Sequence, residues 1–439
     1  MLRASKISEL FARVRGWNDA SAVFSNSGWL IGDQLGRMLL AFGISAAMAR
    51  GLGAADLGVL KATLAFVTLC SSFTSLGLYG IVVKSLTQEP DDAATTLGTT
   101  AILYVLGSLA SVTTCVVVAS AVIDDPRKLL LVLIFTLGVL FHAPRIANLW
   151  FQYKVQSSYT VFAKSIPSVI SGVGVLIAAF MQAPVEVFAV IVVSDTILGG
   201  LALTVLCAKA EGIPTNLRFS FQKAKDLLSQ SWPLIASAVA VKVYLRVDQL
   251  MLERMVNDTA VGVYSVAAEI SEIWYVLPTA IGTSALSGIV GIYAHSVDDY
   301  RERLQDLFDL LVLMAFGVVL LVCLVSGPLI NTVYGTDYSE AVGILRVLIL
   351  AAPFVFMGAI NSKAIITEGF FRFSFIRHSA GAVVNVLLNI WLIPRYGGLG
   401  AAWATVFSYA MAHYLSTALY RPTHPMLRQM TRALFFPFR

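Results

Sequence analysis

Charge is what this chain has little of. Only 13% of its 439 residues are Asp, Glu, Lys or Arg, where a water-soluble domain carries roughly 25%. With 57% hydrophobic residues and a mean hydropathy of +0.78, a soluble fold of this size is excluded. Cysteine is scarce as well: Cys70, Cys115, Cys207 and Cys323 all sit inside apolar runs, without metal-ligand spacing, so they read as small buried hydrophobes. No GxxxxGK[ST] phosphate loop occurs, which excludes ATP hydrolysis by that route. The alternation of a barrel strand is missing. The opening MLRASKISELFARVRGWNDA is too polar for the hydrophobic region of a secretory leader, so Met1 reads as a cytoplasmic start. No long hydrophilic loop carries the carboxylate or histidine constellation that acid/base work at a membrane surface requires, and an enzyme is the weakest reading.

Long apolar runs are what the chain has instead. They fall near 27–49, 57–83, 96–122, 128–150, 159–181, 184–207, 228–252, 260–293, 307–334, 341–367, 373–394 and 398–420. Hydrocarbon offers backbone groups no water, so runs of about 20 residues select helices. The expectation is an all-α polytopic membrane protein of about twelve transmembrane helices. The runs 57–83 and 260–293 are longer than a bilayer needs, which predicts tilt or extension into water. Pro144, Pro167, Pro278 and Pro353 read as bends or hinges and Pro233 as a first-turn proline.

With the N-terminus inside, 20 of the 31 basic residues fall on the inner side and only Arg50, Arg127, Lys128, Arg254 and Arg395 on the outer. Arg37, Lys61, Arg145, Lys242, Arg246 and Arg346 lie deeper or between. The positive-inside rule puts both termini in the cytoplasm. The charged connection AEGIPTNLRFSFQKAKD divides the chain into a cytoplasmic N-terminal segment 1–20, a six-helix bundle 21–208, a linker 209–227, a second six-helix bundle 228–420 and a cytoplasmic tail 421–439. ARGLGAADLGVLKATLAF (49–66) aligned with ERMVNDTAVGVYSVAAEI (253–270) pairs Arg50 with Arg254 and Gly58 with Gly262. Trp29 and Trp232 lie upstream, one residue out of register. This predicts duplicated halves.

Ionisable residues inside spans are costly and read as functional. Asp33 and Arg37 are four apart in the first span, Lys242 and Arg246 four apart in the seventh with Asp248 two further on. Glu269 and Glu272 are three apart in the eighth, His142 and Arg145 three apart in the fourth, and Asp195 stands alone in the sixth.

Five segments resemble the Wzx-type polysaccharide and O-antigen repeat-unit flippases, within the multidrug/oligosaccharidyl-lipid/polysaccharide exporter superfamily. ARGLGAADLG and SLGLYGIVVKSL (75–86) resemble that family's first-half patterns, with Ala54 and Leu57 in place of the usual Pro and Phe. The segment 231–278, LINTVYGTDYSEAVGILRVL (329–348) and VVNVLLNIWLIPRYGGLGAAWAT (383–405) are similar to its second-half patterns. The resemblance implies two six-helix bundles around a central cavity. It also implies movement of an undecaprenyl-diphosphate-linked oligosaccharide from the inner to the outer leaflet of a bacterial inner membrane. The expected partners are that polyprenyl-diphosphate-linked glycan, the lipid bilayer and the polysaccharide polymerase and assembly proteins, with no nucleic acid. A diphosphate calls for cations, and the planar guanidinium suits it, so Arg37, Lys242, Arg246 and Arg145 are the candidate ligand contacts. Asp33, Asp195, Asp248, Glu269 and Glu272 are candidate ion-coupling groups or counter-ions. No cofactor is expected beyond a candidate coupling H⁺ or Na⁺. Asp33–Arg37 and Arg246–Asp248 read equally as structural pairs. The alternative function is an ion-coupled exporter of small molecules or drugs, for which an acidic or aromatic cavity is expected.

Overall fold

The computed structural model describes residues 20–141, 146–154, 157–209, 216–293 and 295–436; within these, the side chains of 20–35, 37, 157–158, 208–209, 283–291 and 371 are not described. Among the described residues there is no strand. Fifteen α-helices follow one another: α1 (Ala20–Cys70), α2 (Tyr79–Gln88), α3 (Ala93–Val122), α4 (Pro126–Leu140), α5 (Ile146–Tyr153), α6 (Ser157–Phe180), α7 (Val185–Lys209), α8 (Phe221–Met255), α9 (Asp258–Ile273), α10 (Val276–Tyr293), α11 (Val297–Val333), α12 (Ala341–Leu348), α13 (Ala352–Thr367), α14 (Phe371–His413) and α15 (His424–Leu434). The protein is an all-α polytopic membrane protein, as composition predicts.

Among the described residues, eight helical stretches are long and apolar enough to cross a membrane. Two of them, Met38–Phe73 and Arg372–Ala418, each hold parts of two predicted runs. Gly53 (φ 72°, ψ 173°) and Gly397 (φ 54°, ψ −130°) kink them, in a conformation that only glycine takes without strain. Of the remaining runs, α4 is 15 residues long, and α8 carries Lys242, Arg246, Asp248, Glu253 and Arg254.

Several ends are written in the sequence. Asp125 accepts a bond from Arg127 N at 2.9 Å with Pro126 in the first turn of α4. Ser220 caps α8 through Lys223 N, and Ser296 caps α11 through Asp299 N; each satisfies a helix-terminal donor. Other runs divide differently from expectation. The run 57–83 is not one tilted span: α1 ends at Cys70, a 3-10 turn covers Ser71–Phe73, and Leu76 (φ 46°) and Gly77 (φ 61°) turn the chain before α2. The run 260–293 breaks at Trp274–Tyr275 between α9 and α10, and 128–150 divides into α4 and α5. Pro233 is not a first-turn proline, because α8 starts twelve residues before it, at Phe221.

The chain forms two compact units, Gly43–Gly262, and Met1–Phe42 with Val263–Arg439. In the first, α6 lies along α7, α4 packs on α3 and α7, and α2 on α5. Its core joins Leu78, Val82, Leu97, Leu149, Phe151 and Leu227, each 3% exposed or less. On α6 the stripe Phe162, Ile166, Ile170, Val173 and Ile177 is more than half exposed, and this helical spacing marks a lipid-facing surface. Gly58 and Gly262 meet in this unit. A Cβ on Gly58 would overlap the Asp258 carbonyl and lie 3.0 Å from Gly262 N; one on Gly262 would overlap the Ala54 carbonyl and lie 3.1 Å from Gly58 N. Ala54 and Asp258 are themselves partners in the alignment of the halves, so the contact is reciprocal at the same offset of 204 residues.

In the second unit α11 packs against α13, α13 against α14, α12 against α14, and the amphipathic α15 against α11. Met426, Met430 and Ala433 of α15 are buried, and Gln429 Nε2 donates to Arg301 O at 2.7 Å. Tyr264 OH meets Thr405 Oγ1 at 3.2 Å.

Candidate functional site

The run predicted as the seventh span carries its charged residues on one helix, α8. Lys242, Arg246 and Asp248 lie on α8, the first two half-buried and Asp248 2% exposed. Asp248 Oδ1 accepts a bond from Gln249 N at 2.8 Å. Lys242 Nζ donates to Thr68 O in the last turn of α1 and to Ser71 O in the 3-10 turn that follows, both at 3.4 Å. Asp195 on α7 is half-buried and accepts from Ser168 Oγ of α6 at 3.1 Å. Glu269 and Glu272 lie half-buried on α9, in the unit that begins at Val263. Asp33 and Arg37 fall on α1, but their side chains lie outside the described residues, as do Arg145 and His142.

Other ionic groups gather in places no spacing rule reaches. In the Gly43–Gly262 unit, Lys128 bridges Glu253 at 2.5 Å and Asp258 at 2.8 Å, tying the start of α4 to the end of α8 and the start of α9. Arg127 binds Asp56 at 3.0 Å and Glu186 at 2.8 Å; the bonds to Glu186 and Asp56 hold its pKa above the usual value. Arg254 Nη2 donates to Val122 O at 2.7 Å. Lys223 joins Glu89 at 2.5 Å and Asp92 at 3.0 Å. Burial would lower the Lys223 pKa, but its bonds to the two carboxylates outweigh burial and raise it. In the other unit Arg377, 2% exposed, donates from Nη2 to Ser362 Oγ at 2.7 Å and lies 3.2 Å from His378 Nε2. The rings of His378 and His413 stand 6.1 Å apart. His413 packs over Gly358, where any Cβ would strike the imidazole. Ser362, Arg377, His378 and His413 are therefore parts of one buried polar cluster drawn from α13 and both ends of α14. Their spacing, 36 residues from Arg377 to His413, gives no signal of it. Among the described residues no group of three His, Cys, Asp or Glu could hold a metal ion.

Membrane-crossing helices, kinked at glycines and carrying ionisable groups within their length, define a polytopic α-helical membrane protein. Solved structures agree. An inward-facing multidrug resistance MATE family transporter of the MOP superfamily superposes with a TM-score of 0.72 at 13% identity, covering 90% of this chain and 95% of that one. The lipid II flippase MurJ, in an inward closed conformation, superposes with a TM-score of 0.70 at 15% identity, covering 95% and 92%. The chain belongs to the family of polysaccharide biosynthesis proteins, which it matches over residues 23–287; it also matches the MatE family over 233–391. The resemblance read from the motifs is thereby borne out. A Haloferax volcanii protein named as a low-salt glycan biosynthesis flippase, Agl15, is 24% identical over 51% of this chain and 48% of its own length. A Shigella flexneri protein named as an O-antigen transporter is 23% identical over 43% and 45%. The chain thus spans about half the length of these relatives.

Proposed function

We propose that this protein is a flippase that carries a polyprenyl-diphosphate-linked oligosaccharide from the inner to the outer leaflet of a bacterial inner membrane by alternating access. The observation that carries the reading is the pair Lys242 and Arg246, half-buried one turn apart on α8 of a chain in the polysaccharide biosynthesis family. A diphosphate is a ligand that such cations stabilise well, and the names of the relatives support a glycan as the cargo. Arg37 and Arg145 complete the proposed cationic set. In this reading twelve spans form bundles 21–208 and 228–420 joined by the linker 209–227, with both termini cytoplasmic, and the glycan leaves covalently unchanged. Its assembly partners are the polymerase and the proteins that extend or attach the glycan.

The driving force in this proposal is an H⁺ or Na⁺ gradient, with Asp195, Glu269 and Glu272 as coupling carboxylates. A second reading, ion-coupled export of small molecules, is favoured by one observation, the match to the MatE family over residues 233–391. Reconstitution separates the two. Proteoliposomes loaded with an undecaprenyl-diphosphate oligosaccharide should flip it under an imposed proton or Na⁺ gradient, and Lys242→Ala and Arg246→Ala should slow that flipping at least tenfold. Gradient-driven uptake of organic cations, with no movement of the lipid-linked glycan, would establish the second reading instead.

A further inference from the structure

The second predicted span does not run through the bilayer as one helix. It stops at Cys70, turns through Ser71–Phe73 and resumes at Tyr79. Bare backbone beside hydrocarbon is tolerated only where protein or water satisfies it. Here protein does so from two sides. Thr74 O would lie 2.9 Å from a Cβ on Gly107 of α3, and a Cβ on Gly77 would lie 3.1 Å from Ile235 N of α8, so two glycines let neighbouring helices close on the break. Ser72, Thr74 and Ser111 are 3% exposed or less, and Thr74 Oγ1 donates to Ser111 Oγ at 3.1 Å.

One carbonyl collects donors at this break. Thr68 O accepts from Ser71 Oγ at 3.1 Å, Ser72 Oγ at 3.4 Å and Lys242 Nζ at 3.4 Å. Ser71 O accepts from Thr74 N at 3.2 Å and from the same ammonium. Neutral carbonyl and hydroxyl oxygens around a helix C-terminus, where the dipole is negative, form the environment in which interrupted membrane helices hold monovalent cations. We infer that the end of α1 is a monovalent-cation site filled from within by the Lys242 ammonium, which stands where an alkali-metal ion would otherwise bind. The tethered charge makes the geometry of the break independent of Na⁺ and K⁺ in the medium. Removing it opens a site for a small free cation, coordinated by Thr68 O, Ser71 O and the adjoining hydroxyls. The inference does not rest on the flippase reading, because it concerns a fold contact that exists without substrate.

The experiment is thermal unfolding of the full purified chain in detergent, at one ionic strength, in chloride salts of N-methyl-D-glucamine, methylammonium, Na⁺ and K⁺. The wild type should unfold at the same temperature in all four. Lys242→Ala should unfold about 2 °C lower in N-methyl-D-glucamine and recover at least half of that loss in methylammonium or an alkali cation. Lys242→Arg, which keeps a cation at the break, should stay salt-independent. Equal behaviour of Lys242→Ala in every salt overturns the inference, whether its midpoint is unchanged or uniformly low. Should alanine give no folded protein, Lys242→Gln replaces it. The glutamine variant should show the same rescue by small cations, and wild-type stability of that variant in N-methyl-D-glucamine overturns the inference as well. Loss of glycan flipping is a separate readout, so normal salt rescue with normal transport would refute the substrate role of Lys242 and leave the cation site standing.

Discussion

Alanine at Gly58 or Gly262 meets backbone that cannot rotate away. At position 58 the new methyl would lie 2.6 Å from Asp258 C and 3.0 Å from Gly262 N; at position 262 it would lie 2.9 Å from Ala54 C and 3.1 Å from Gly58 N, where ordinary contact begins at 3.4 Å. Both methyls would also overlap a carbonyl oxygen. Relief therefore requires α1 and α9 to separate by on the order of 1 Å, a forced expansion that costs about 1–3 kcal/mol. The reciprocal geometry makes a sharper statement. One displacement along the line between the glycines relieves both clashes, so the double variant should cost about as much as the worse single variant. Its interaction energy should then be negative and of the order of one single cost, well outside the roughly 0.5 kcal/mol expected of independent sites. Denaturant unfolding of the two single variants and the double variant in detergent gives all the free energies needed. Costs that add, or a single variant that unfolds like the wild type, would refute the reciprocal contact.

Three other predictions concern charge and exposure. Lys128→Met should destabilise the protein by about 1–2 kcal/mol, because it leaves Glu253 and Asp258 facing each other without a cation at a partly buried site; chemical denaturation measures it, and an unchanged midpoint would count against the bridge. Burial raises the pKa of Glu368, although Tyr300 OH bonds it at 2.9 Å and Arg301 pulls the other way. A carboxyl whose folded pKa is raised adds stability below its unfolded value, 4.5, and that contribution is lost as pH rises through the folded pKa. Glu368→Gln should therefore match the wild type near pH 4 and exceed it at neutral pH in a thermal-unfolding series; parallel curves would refute the assignment. Single cysteines at Asp125, Asn257 and Tyr396, all exposed, should react with an impermeant reagent applied from outside, and cysteines at Gln222 and Asp299 should not; the reverse pattern would overturn the proposed orientation.

Hydropathy made the class of fold legible because the cost of unpaired backbone in hydrocarbon leaves so few solutions. The aligned turns at Gly58 and Gly262 were legible for a related reason: the steric need for glycine at a helix crossing leaves a residue-level mark. Breaks were not legible. Ser71–Leu78 and Trp274–Tyr275 lie in apolar runs, and a hydropathy profile reports side chains while the interruption is a property of φ and ψ. The acidic partners of Lys128 were equally hidden, since Glu253 and Asp258 stand 125 and 130 residues away in the chain. Lys242 and Arg246 could be found on one helix from spacing alone, but the carbonyls that hold Lys242 come from a helix end that the sequence placed elsewhere. The buried cluster around Arg377 was missed because Ser362, Arg377 and His413 come together only when α13 and both ends of α14 are packed.

The docking of α15 bears on how the protein is made. Gln305 Nε2 bonds Gln429 O at 3.2 Å and Gln429 Nε2 bonds Arg301 O at 2.7 Å, so the first turns of α11 get their partners from residues synthesised more than 120 positions later. Until α15 has been made, that end of the helix lacks the packing that Met426, Met430 and Ala433 bring to the folded unit. Completion of this unit is thus a late event in biogenesis. A chain stopped anywhere in α13 or α14 would lack the same cover.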